Sequence, residues 1–136
     1  MTQRERPLSP FMHYRWQYTN TLSILHRLTG VFMSLGLVLL VYWLASAASG
    51  AAAYATALNI LALPVIKFAL FVALLSYYYH LFNGIRHLCW DMGWGFERAV
   101  ARKAGWLVFV SAIVLTALTW MCLCLRIYAG GNGGLV

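Results

Sequence analysis

Leu28-Thr-Gly-Val-Phe-Met-Ser-Leu-Gly-Leu-Val-Leu-Leu-Val-Tyr-Trp-Leu-Ala-Ser-Ala-Ala48 carries no charged side chain. About 20 helical residues cross a hydrocarbon core of about 30 Å, so this run is long enough to span a bilayer. Two further runs match it: Pro64 to Phe82, with Lys67 near its start, and the uncharged Trp106 to Leu125. The composition agrees. The chain of 136 residues is 62% hydrophobic and only 10% charged, with a mean hydropathy of +0.74. Soluble domains carry about 25% charged residues. The expected fold is an all-α membrane protein of three transmembrane helices in one anchor domain, residues 1–136. Its parts are an N-terminal segment 1–21, helices over 22–48, 60–88 and 104–127, and a Gly-rich tail 128–136. A cleaved signal peptide is the rival reading of the first run. The run is longer than an h-region of 7–15 residues, which disfavours it.

Net charge is +7, from ten Lys and Arg against Glu5, Asp91 and Glu97. In a membrane protein this excess reports topology rather than nucleic-acid binding. Arg4, Arg6, Arg15 and Arg27 precede the first run, and Arg86, Arg98, Arg102 and Lys103 lie between the second and third. The connection Ser49 to Leu63 has no charge. The positive-inside rule then puts the N-terminus in the cytoplasm and the C-terminus outside. Cys89, Cys122 and Cys124 show neither haem-attachment nor zinc spacing and read as small apolar fillers.

Chemistry gathers at the cytoplasmic ends. His80-Leu-Phe-Asn-Gly-Ile-Arg-His87 closes the second apolar run. Ionisable groups at membrane depth are costly and usually mark a cofactor or an ion path. His80, Gly84 and His87 share one helical stripe, and glycine there leaves room for a flat object or another helix. His80 lies about 24 Å along its helix from Pro64, still at membrane depth. A neutral imidazole there can coordinate haem iron; a hydrogen bond to a neighbouring helix is the plainer alternative. One helix cannot put His80 and His87 on opposite sides of a porphyrin, so a second axial ligand is expected from another chain. Ser23, His26 and Arg27 share a face of the first helix and offer a hydroxyl, an imidazole and a cation. They suit a propionate, a quinone head group or a lipid phosphate. Lipid contact and helix capping are the plainer alternatives. His87 and Asp91 are four apart and can pair locally. Tyr77-Tyr78-Tyr79, Trp90 and Trp94 read as an interfacial aromatic belt.

Arg6-Pro-Leu-Ser-Pro10, Ser23-Ile-Leu-His26-Arg27-Leu-Thr-Gly30 and His80-x-x-x-Gly84-x-Arg86-His87-Leu-x-x-Asp91 occur in this order around three spans. Together they resemble the large cytochrome b556 anchor subunit of succinate dehydrogenase, respiratory complex II. The resemblance implies half of a two-subunit haem-binding bundle in the bacterial inner membrane, with the C-terminus periplasmic. It implies as partners a small membrane anchor, an iron–sulfur subunit and a flavoprotein subunit bearing FAD. It implies haem b ligated by His80, with the other axial histidine on the small anchor. It implies ubiquinone at Ser23 and Arg27, with His26, Arg27 and His87 as propionate or pocket contacts. It implies no catalytic residue of the succinate-oxidising head in this chain. The anchor of a menaquinol:fumarate reductase shares this architecture. A channel or transporter reading lacks a polar path in the first and third spans. Where many relatives read Arg-Pro-x-Ser-Pro-His, Phe11 stands here and His13 follows.

Overall fold

The computed structural model describes residues 18–132. Arg6 to Pro10 and His13 lie outside them, as does the end of the tail. Among the described residues there are four helices: α1 Tyr18–Ala48, α2 Ala51–Leu61, α3 Pro64–Asp91 and α4 Arg98–Asn132. Helices α1, α3 and α4 are long and apolar enough to cross a membrane. The all-α membrane architecture expected from the sequence is therefore present.

The element boundaries differ from expectation where hydropathy is a poor guide. The connection after α1 is not a plain loop, because Ala51–Leu61 forms a helix of 11 residues. Alanine is the strongest helix former, and this stretch holds five of them before Leu58. Gly50 makes the break between α1 and α2 with φ of 107°, a left-handed value that disfavours side chains. Leu63 is extended, as a residue before proline prefers, and Pro64 opens α3 in the first turn. Helix α3 runs on to Asp91 and turns through Gly93 and Gly95, both at φ of 84°. Helix α4 begins at Arg98, ahead of the expected 104, and continues past 127 to Asn132. Its first turns are charged but rich in good helix formers, so an apolar window misses them.

Helix α3 lies between α1 and α4 and packs on both. The core is small: Leu22, Tyr79, Val108 and Ala112 form it, with Leu25, Tyr78 and Phe82 packed around them. Lipid tails are as apolar as leucine, so close packing and interhelical hydrogen bonds hold such helices together. Tyr79 Oη donates to the Leu22 carbonyl at 3.1 Å, tying α3 to α1. The Tyr78 and Thr119 hydroxyls bond at 2.9 Å, tying α3 to α4. Tyr79 is therefore core rather than belt, being 5% exposed, whereas Tyr77 and Trp94 do face outward. The three cysteines are free.

Helices α1 and α4 meet at one end. Tyr18 stacks on Trp106 with centroids 6.2 Å apart. Gly105 makes the approach close: a Cβ there would lie 2.6 Å from Leu22 Cδ1 and 2.9 Å from Tyr18 Oη. Leu22 is 2% exposed and cannot swing away freely. Overpacking such a contact costs about 1–3 kcal/mol. Gly105→Leu should therefore lower the thermal unfolding midpoint of the purified complex, while Gly93→Ala, at an open turn, should separate from it by acting only through backbone strain. Equal midpoints for Gly105→Leu and wild type would show that the contact is soft.

Candidate functional site

The end of the bundle where α1 and α3 adjoin gathers three imidazoles. The His26 and His80 rings stack, with centroids 3.8 Å apart and planes 17° from parallel. The His87 ring stands 5.4 Å from that of His26. The His80 ring lies against α1 at Gly30, where a Cβ would meet His80 Cε1 at 3.4 Å, an ordinary van der Waals contact.

Hydrogen bonds give the two α3 histidines different free nitrogens. His80 Nδ1 lies 3.1 Å from the His26 carbonyl, which can only accept, so Nδ1 carries the proton. Thr29 Oγ1 sits 3.4 Å from the same nitrogen and donates to the same carbonyl at 2.9 Å. That leaves His80 Nε2 with its lone pair free. Among the described residues the buried side-chain polar atoms without a partner are His26 Nδ1 and Arg86 Nε. His80 Nε2 is not one of them, so it opens to the surface of the chain. It does so beside a groove of about 550 Å³ between α1 and α3, whose lining includes Gly30, Met33, Gly36, Ala73, Tyr77 and His80. His87 is the reverse case: its Nε2 is the engaged nitrogen, 3.4 Å from Asn83 Nδ2.

Arg86 departs from the expectation for a topology-setting surface charge. It is 6% exposed. Its Nη1 donates to Asn83 Oδ1 at 3.3 Å and its Nη2 to the Ala101 carbonyl of α4 at 3.4 Å. The guanidinium carbon lies 3.8 Å from the Trp90 ring centroid, a cation–π contact. Trp90 is itself tied down by Nε1, which donates to the Gly95 carbonyl at 3.2 Å. The basic surface between α3 and α4 thus consists of Arg98, Arg102 and Lys103, all exposed. Asp91 is exposed, and among the described residues it forms no ion pair with His87.

The sequence itself matches a known family. The family model described as succinate dehydrogenase/fumarate reductase transmembrane subunit matches residues 2–119. The chain belongs to this family. A succinate dehydrogenase cytochrome b556 subunit of Rickettsia prowazekii is 41% identical over 118 residues, covering 86% of this chain and 92% of that protein. One of Paracoccus denitrificans is 34% identical over 115 residues, covering 84% and 88%. The mitochondrial cytochrome b560 subunit of Mus musculus is 35% identical over 121 residues, covering 87% and 69%.

In this succinate dehydrogenase/fumarate reductase transmembrane subunit, the site residues expected from the sequence fall into two groups. His26, His80 and His87 come together as a cluster. Ser23 is half-buried and Arg27 exposed, on α1 within a turn of His26. Sequence reasoning missed Asn83, Thr29 and the burial of Arg86. Asn83 is fully buried and hydrogen-bonds both Arg86 and His87. Its spacing was a usable signal, since i+3 and i+4 neighbours on one helix meet. Thr29 carried no such signal, because its partner His80 is 51 residues away.

Proposed function

We propose that this chain is the large membrane anchor of a succinate:quinone oxidoreductase. In this reading it binds haem b together with a small anchor and forms part of the site that reduces ubiquinone. The single observation that carries the haem reading is the state of His80. Its Nδ1–H is spent on the His26 carbonyl, and its Nε2 is free beside an apolar groove. Metal-ligating histidines commonly donate their other ring N–H to a carbonyl or carboxylate, which fixes the ring and raises its basicity. The residues therefore fit the group. Bound between the anchors, haem b supplies one-electron storage at a potential tuned by its ligands.

His26 does not supply the second axial bond from this arrangement. The lone pairs of an imidazole lie in its ring plane, and two rings stacked 3.8 Å apart and 17° from parallel cannot direct them at each other across one iron. The second ligand then comes from the small anchor. The His80 ring lies against α1 at Gly30, and the His26 carbonyl, with Thr29 beside it, sets its tautomer.

The exposed Arg27 guanidinium and the Ser23 hydroxyl, one turn away, are donors suited to quinone oxygens. The positive-inside reading puts both at the cytoplasmic face. There an iron–sulfur subunit docks on the anchors, below a flavoprotein subunit holding FAD. Relatives at 34–41% identity are named as succinate dehydrogenase subunits, which favours succinate oxidation over the fumarate-reducing direction.

The quinone part is tested with Arg27→Ala and Ser23→Ala in assembled membranes. A hydrogen bond to a charged group contributes about 1.5–3 kcal/mol, or about 10- to 100-fold. Succinate–quinone activity should fall by that order in Arg27→Ala, while succinate oxidation by a soluble dye stays near wild type. Unchanged quinone activity in both variants would move the site elsewhere. An equal loss of dye activity would assign these residues to assembly.

A further inference from the structure

Arg86, Asn83 and His87 form a short hydrogen-bonded chain on α3 that is not part of the His80 contact. Arginine has only donors, so Asn83 must present its oxygen to Arg86. The amide is planar, and it is fully buried, so its –NH2 then has one direction left, toward His87 Nε2 at 3.4 Å. A donor facing Nε2 requires a lone pair there. His87 must then carry its proton on Nδ1. That nitrogen has no partner among the described residues, yet it is not one of the two buried unpartnered atoms, so it opens outward. The amide orientation is decided by Arg86, which is itself fixed between the Ala101 carbonyl and the Trp90 ring.

We infer that Arg86 and Asn83 are positioning residues that lock the His87 ring in one tautomer, with its N–H on Nδ1. His87 Nε2, taken up by the Asn83 amide, is then open neither to an iron nor to a proton relayed across the ring from Nδ1. The tautomer does not depend on the haem reading above.

The test is solid-state NMR of the dithionite-reduced, four-subunit complex in nanodiscs with 15N-labelled histidine, His87 being assigned by its loss in His87→Gln. Wild type should show a pyridine-type Nε2 and a pyrrole-type Nδ1 for His87. Asn83→Asp, whose carboxylate accepts from both neighbours, should reverse the assignment to Nε2–H. Arg86→Lys keeps a donor on the Asn83 oxygen and should preserve the wild-type pattern, whereas Arg86→Met should give a mixture. A wild-type His87 protonated at Nε2, or an unchanged pattern in Asn83→Asp, would overturn the inference even if other variants fail to assemble. The His80→Ala complex separates the two readings. The same His87 tautomer without haem keeps the positioning claim whatever ligates the iron, and a changed tautomer there would overturn it.

Discussion

In assembled complex, His80→Ala should abolish the low-spin b-type haem absorption while the protein is still made and inserted. The imidazole is half-buried, and among the described residues its hydrogen bonds run to Thr29 and the His26 carbonyl. That carbonyl keeps a bond from Thr29 Oγ1, so truncation leaves little unsatisfied on α1. The loss should therefore fall on the cofactor rather than the fold. Removing an outer hydrogen bond to a ligand costs about 10–100-fold in metal affinity, and removing the ligand itself costs more. The measurement is haem-to-protein ratio and the reduced-minus-oxidised spectrum of purified complex. His87→Ala is the matched control, because His87 Nε2 is already engaged by Asn83. A retained band in His80→Ala with a lost band in His87→Ala would reverse the assignment. Expression without the small anchor supplies a second check: the isolated chain should hold haem weakly, having one ligand to offer.

Arg86→Leu should be the most destabilising single change at this end of the bundle. Leucine restores hydrophobic volume and removes the cost of burying a charge, which works in the protein's favour. It also strands the fully buried Asn83 oxygen and takes one bond from the Ala101 carbonyl. A buried unsatisfied polar group costs about 1–3 kcal/mol, and a desolvated cation–π contact contributes about 2 kcal/mol. The losses outweigh the gain, giving a net destabilisation of about 2–4 kcal/mol. The expected readout is a lower thermal midpoint and reduced recovery of assembled complex from detergent. Arg86→Lys should recover part of it, because lysine can reach one acceptor but lacks the planar fork that meets two. If Arg86→Leu is as stable as wild type, the guanidinium is not the link between α3 and α4.

The helices that hydropathy alone detects and those it misses differ for a physical reason. Spans reveal themselves because about 20 consecutive apolar residues have few other uses. Helix α2 is short and alanine-rich, and the first turn of α4 is basic, so neither stands out in an apolar window. The same holds for Tyr79, which reads as belt by its neighbours yet is core by its contact with Leu22. Aromatic identity is local; which side of α3 meets another helix is not.

By itself the sequence determined the three spans, the all-α membrane class and the stripe of His80, Gly84 and His87, since length, hydropathy and helical periodicity are properties of one segment. Through its three motifs it also pointed to the family later matched over residues 2–119. Only the tertiary structure decided what the charged and titratable groups in and beside that stripe contact. Helix α1 had to lie against α3 before the His26 carbonyl could select the His80 tautomer. Helix α4 had to present its Ala101 carbonyl before Arg86 could be a buried clamp rather than a surface charge. These are contacts between residues 15 and 54 positions apart, and no pattern within one helix encodes them.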